Sequence, residues 1–162
     1  MSTFIVALHV LTAILLIGPV AIASSMYAPQ FRKAQSGDPA AVGALRLVHR
    51  ITRSYGFISL LVPVLGLIAF FVVDGAMKNT ALHFALLLAI AAWGVLIALV
   101  IPRQRQGLVA LNAVEAGDAP ASEAEAAKAA DADTSKIPGQ AAMFAGIFNL
   151  LWLVTALSLI HI

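Results

Sequence analysis

The chain has 162 residues, 61% hydrophobic and 11% charged, with a mean hydropathy of +0.95 and a formal net charge of +2. Soluble domains carry roughly a quarter charged residues and disordered chains are poor in apolar ones, so both classes are excluded and the bilayer is the solvent that fits. The absence of cysteine excludes disulfides, iron–sulfur ligation and thiolate zinc sites, and the few, scattered basic residues make no nucleic-acid footprint.

Four apolar runs contain no Lys, Arg, Asp or Glu and are long enough to cross a membrane, which takes about 20 residues. The first covers residues 3–26. Ala21-Ile22-Ala23 resembles a signal-peptidase site, but Met1-Ser2-Thr3 has no positive charge and the run is too long for a signal core. It is read as a retained helix. His9 lies about 9 Å from the start of that helix at 1.5 Å per residue. Gly18-Pro19 interrupts its backbone ladder, as a gate hinge or as a static kink. Ala21 and Ser25 form a small-residue pair that lets another helix approach closely.

Residues 27–54 form the first long loop region, with Arg32, Lys33, Arg46, Arg50 and Arg53. Asp38-Pro39 is a helix start, Asp as N-cap and Pro in the first turn. From there Val42, Leu45, Leu47 and Val48 predict helical burial, and the helix runs on into the second span, residues 55–73. His49, beside Arg50, reads as a surface or headgroup residue. Arg46, Arg50 and Arg53 either set topology alone or bind anionic lipid or the acidic face of a partner. Pro63 predicts a bend within the second span.

A short link containing only Lys78 leads to the third span, residues 80–101, with His83 about one turn in. Trp93 falls near its middle rather than at the interface where indoles concentrate, so it fills the bundle core or docks on a partner. Gly94 and Ala98 are a second small pair. Pro102 predicts a kinked exit, with Leu108, Val109, Leu111 and Val114 extending the helix into the second loop region, residues 102–139. Its Ala- and Glu-rich part from Ser122 to Ala132 reads as a short solvated helix or a linker. The acidic residues Glu115, Asp118, Glu123, Glu125, Asp131 and Asp133 read as a solvated loop.

Ile137-Pro138-Gly139 restarts the chain toward the fourth span, residues 140–161. Ala142 and Gly146 are a third small pair. Asn149 is the strongest polar group of this span and needs a hydrogen-bond partner on another helix. Trp152 follows one turn later, and His161 is near the end.

Nine of the ten basic residues fall in the two long loop regions and none lies at either terminus. The positive-inside rule therefore predicts both termini outside and the long loops cytoplasmic. The fold expected is an all-α membrane protein, an antiparallel four-transmembrane-helix bundle forming one domain, with helices 2 and 3 extended into the cytoplasm. There is no duplicated motif of the inverted-repeat kind. Ion pathways leave ionisable residues inside the membrane, and here only histidines qualify. No Walker loop, zinc-protease pattern, serine triad or dinucleotide fingerprint is present, which argues against a transporter, channel or hydrolase and for a non-enzyme without cofactor.

With this topology His9, His83 and His161 share the outer half of the bundle, where imidazoles on facing helices can ligate haem b or copper. No two of them have helical spacing, and the plainer reading is interfacial or locally bonded imidazoles.

The opening Phe4-Ile5-Val6-Ala7-Leu8-His9-Val10-Leu11, the Gly18-Pro19 kink and the basic first loop resemble a family of small bacterial four-helix integral membrane proteins of uncharacterised function. A histidine early in the first span is similar to copper-resistance membrane proteins of the CopD type. The Ala-rich, cysteine-free composition resembles actinobacterial proteins, among which chains of this size are accessory subunits of the cytochrome bcc–aa3 respiratory supercomplex. That resemblance implies a plasma-membrane, non-catalytic subunit with larger membrane subunits and lipids, some of them anionic, as partners. Trp93, Gly146, Asn149 and Trp152 are then the packing residues. The competing expectation is a haem- or copper-binding bundle using His9 with His83 or His161.

Overall fold

Three left-handed residues and two prolines decide where the helices of this chain stop, bend and restart. The computed structural model describes residues 2–115 and 118–160. Helix α1 (Ser2–Gln35) runs through Pro19 and Pro29 and continues well past the apolar run that ends at Met26. It stops where Gly37 adopts φ 93°, with Asp38 N–H donating to Lys33 O and Gly37 N–H to Ala34 O, a Schellman turn. Asp38 then caps α2 (Pro39–Ile58) as expected, its carboxylate accepting from the N–H groups of Ala40 and Ala41.

The bend predicted from Pro63 is a full break between α2 and α3 (Leu61–Val72). Proline has no N–H for the Ser59 carbonyl, and the backbone tightens ahead of it: Leu60 N–H bonds Phe57 O instead of Gly56 O, and Val62 N–H bonds Ser59 O. The Gly56 carbonyl is released from the ladder. Ser59 Oγ donates to it at 2.7 Å and the Trp93 indole N–H at 3.2 Å. One helix break is thereby satisfied by a side chain from a third helix.

A short turn with Gly75 at φ 78° leads through a single 3-10 turn (Ala76–Lys78) to α4 (Thr80–Val95), capped by Asn79. Ahead of Pro102 the helix widens into a π-helical turn (Leu96–Val100), Ile101 N–H reaching back to Leu96 O, before α5 (Ile101–Ala110). The expected exit kink takes this form. Helix α5 ends in a second Schellman turn built on Asn112 at φ 51°, a conformation asparagine tolerates, with Ala113 N–H on Leu108 O and Asn112 N–H on Val109 O. Helix α6 (Glu123–Ala130) starts at Ser122, whose hydroxyl accepts from Glu125 N–H, and α7 (Ile137–Ile160) completes the chain.

No strand occurs among the described residues, and four helical stretches, the second of them α2 and α3 together, are long and apolar enough to cross a membrane. The chain is an all-α, multi-pass membrane protein. Around the bundle α1 lies between α2–α3 and α7, and α4 packs on α7. Burial is uneven along the bundle axis. No residue of 2–19 is buried, whereas Val20, Ala23, Tyr27, Ala28 and Phe31 are, and Ala23, Tyr27 and Phe31 pack in one cluster with Leu45, Val48, Leu108, Ile137 and Ala141. A second cluster at mid-height joins Val20, Ala92, Leu96, Val100, Ile101 and Phe148. The best-packed half of the molecule is the half that carries the long loops.

The helical part of residues 27–54 is larger than the apolar pattern suggests, because only residues 36–38 are non-helical. The apolar run ends at Met26, but the buried face of α1 continues to Phe31, directly before Arg32 and Lys33.

Candidate functional site

Polar groups inside the spans find partners within the chain only in part, since Asn149 Oδ1, Trp152 Nε1 and His9 Nδ1 are buried without one. Asn149 Nδ2 on α7 donates to Ser25 Oγ on α1 at 3.0 Å, and Ser25 Oγ donates in turn to Ala21 O at 2.8 Å. The helix that satisfies Asn149 is thus one of its own. Trp93 is half-buried and fixed by Gly56 O; Trp152 is half-buried, edge-on to Phe148 with centroids 6.5 Å apart. Both indoles serve internal packing. Gly146 is different: it is exposed, a Cβ there would meet nothing within 4 Å, and Ala142 one turn earlier is exposed as well. Asn149→Ala is expected to cost about 1 kcal/mol, the scale of an interhelical hydrogen bond in a membrane, read as a lowered thermal transition in mild detergent.

The histidines engage different turns of α3. The His9 imidazole fills the notch over Gly66, where an added Cβ would lie 3.0 Å from its Cε1. Its Nδ1 is buried without a partner. His83 is exposed; its Nδ1 lies 3.0 Å from Asn79 O and its ring is edge-on to Phe70 at 4.7 Å. His161 lies outside the described residues. Among those residues no group of three or more His, Cys, Asp or Glu is gathered as for a metal ion.

The dense polar chemistry sits at the loop end. Residues Ala41, Leu45, Val48, His49, Thr52 and Gly56 form the buried stripe of α2, so His49 is interior, 4% exposed, and not the surface residue expected. Its Nδ1 lies 3.1 Å from Gln104 Oε1, while Gln104 Nε2 lies 3.5 Å from Thr52 Oγ1. Tyr27 Oη donates to the Gln104 backbone carbonyl at 2.5 Å. One residue of α5 thereby ties α1 and α2 together in the core. The positions of Leu45 and Val48 in the sequence carried the signal for His49; the adjacent Arg50 obscured it.

Beside this stripe α2 presents Arg46, Arg50 and Arg53 at i, i+4 and i+7, one helix face. Arg46 donates to the carbonyls of Ala113 (2.5 Å) and Val114 (3.4 Å), which the Asn112 turn aims at it. Arg50 pairs with Glu115, and Arg53 lies 3.5 Å from Asp118. Arg105 on α5 reaches Asp118 at 2.8 Å and Glu125 at 2.5 Å. The Arg105 guanidinium and the Ala121 N–H hold the Glu125 carboxyl below its usual pKa. The acidic run is consequently no free solvated loop: Glu115, Asp118 and Glu125 dock the chain between α5 and α7 onto the basic faces of α2 and α5. Helix α6 is docked too, with Ala129 buried and Gln106 Nε2 donating to Lys128 O.

Between the arginine face and this docked segment lies a cleft of about 490 Å³, lined by Arg46, His49, Arg50, Arg53, Ser54, Leu108, Val114, Glu115 and Asp118. His49 Nε2, the nitrogen not used by Gln104, is buried and has no partner. The arrangement can bind and orient a charged group. No family model matches the chain, and neither the curated proteins nor the solved structures contain a match.

Proposed function

We propose that the chain is a non-catalytic accessory subunit of a larger membrane complex. The observation that carries this reading is the division of labour on α7. Asn149 Nδ2 and the Trp152 ring make contacts inside the bundle, while Ala142 and Gly146 present a flat, open strip bordered by exposed Met143, Ile147 and Leu150. Small residues of this spacing admit a second helix at close range. The resemblance to actinobacterial accessory subunits makes the cytochrome bcc–aa3 respiratory supercomplex the proposed assembly, in a bacterial plasma membrane with both termini outside.

The test is extraction of a tagged chain from its native membrane in mild detergent. Cytochrome subunits are expected in fixed proportion, and Gly146→Leu is expected to abolish their recovery while the isolated variant keeps its thermal transition, since its side chain meets open space. Recovery of the chain alone overturns the proposal. A Soret band or stoichiometric copper on the pure chain, lost in His9→Ala, would replace it with the haem b or copper reading.

A further inference from the structure

We infer that the cleft against α2 is a binding site for the headgroup of one anionic phospholipid in the leaflet on the loop side. Its phosphate would lie on Arg50 and Arg53, and headgroup hydroxyls would lie on Glu115 and Asp118. Three observations point to a lipid. The first is depth: the charge-free run begins at Tyr55, so Arg53 and Arg50 stand about 3 Å and 7–8 Å outside it along the helix, within or at the edge of a headgroup layer of roughly 5–8 Å. The second is the surface that continues from the cleft. Arg46, Arg50 and Arg53 are followed on the same face of α2 by Phe57, 53% exposed, and then by exposed Leu60 at the break and Val64 beyond it. A charged cradle leading onto an apolar rail matches an amphiphile, which a free anion is not.

The third is the floor of the cleft. His49 is almost wholly buried, held by Gln104 through Nδ1, and its Nε2 has no protein partner. The lining also mixes signs: three arginines face two carboxylates. Plain inorganic phosphate would meet the carboxylates unfavourably, whereas a glycerol or inositol headgroup offers them donors. The Arg50–Glu115 and Arg53–Asp118 pairs are exposed and therefore exchange partners at little cost. This site is independent of the accessory-subunit reading, and it can be tested on the isolated full chain.

The experiment is native mass spectrometry of the delipidated protein titrated with phosphatidylglycerol, with phosphatidylcholine in a parallel series and with millimolar inorganic phosphate as competitor. One phosphatidylglycerol per chain should be retained preferentially. Ser54→Trp, which fills the exposed edge of the cleft and leaves every ion pair intact, should lower its occupancy about tenfold. Arg50→Gln/Arg53→Gln should lower it about 25-fold, as expected for losing about fivefold per basic residue at a membrane surface. Arg32→Gln/Lys33→Gln, exposed on α1 outside the cleft, should leave it within about twofold once screened by salt. Wild-type occupancy in Ser54→Trp overturns the proposal, even if the arginine variant fails to fold. So does equal retention of phosphatidylcholine, or displacement of the lipid by inorganic phosphate, which would make the cleft a free-anion site.

Discussion

Gly107→Ala is expected to destabilise the protein by about 2 kcal/mol, the scale of overpacking a filled core. Gly107 lies on α5 where that helix meets α1 and α7. A Cβ there would press on the Tyr27 hydroxyl and come within 2.8 Å of Phe31 Cε2 and 3.1 Å of Ile137 Cγ2. None of the three can yield, because Tyr27 is held by its hydrogen bond to Gln104 and all are fully buried. Alanine improves helix propensity by about 1 kcal/mol over glycine, so the controls Gly94→Ala and Gly146→Ala, whose Cβ atoms meet nothing within 4 Å, should be neutral or mildly stabilising. Tyr27→Phe in the Gly107→Ala background should recover part of the loss by removing the hydroxyl in the way. Thermal unfolding in mild detergent reads all four. A Gly107→Ala protein as stable as the Gly146→Ala protein would mean that α1 and α5 separate freely, and the packing described for the loop end would be wrong.

Replacing Gln104 by leucine should cost about 1–3 kcal/mol, the penalty for leaving a buried polar group unpaired. Gln104 is 1% exposed and its Oε1 is the partner of His49 Nδ1, so the leucine strands an imidazole in the core. Removing both members of such a pair is far less costly than removing one. The double variant Gln104→Leu/His49→Leu should therefore regain most of the stability lost by Gln104→Leu alone. Strict additivity of the two single changes would show that the pair does not exist in solution. The bond from Tyr27 to the Gln104 backbone is untouched by these substitutions, which keeps the α1–α5 contact as a constant across the cycle.

What could be read before folding and what could not differ in kind. The four spans, the Asp38 start, the interruption at Pro63 and the bend before Pro102 follow from local rules: apolar runs must enter lipid, a carboxylate caps free N–H groups, and proline lacks a donor. These features needed no knowledge of neighbours. Asn149 is an intermediate case, because its need for a partner was evident but its partner, Ser25, lies 124 residues away in the chain.

The loop end shows the other kind. The acidic stretch has the composition of a solvated linker, and composition does not record that Glu115, Asp118 and Glu125 find Arg50, Arg53 and Arg105. His49 stands between hydrophobic and basic neighbours, and only the packing of α5 against α2 assigns it to the interior. His9 and His83 were expected to share the outer half of the bundle, and packing sets them against successive turns of α3, at Gly66 and Phe70. By itself the sequence determined that this chain is a membrane bundle of four helices, since hydropathy and backbone hydrogen bonding are properties of short segments. Which glycine is a contact and which a bare surface, which histidine is buried, and where a charged cleft opens at the membrane boundary were decided by tertiary structure alone, because each depends on the rotation and closeness of helices far apart in the chain.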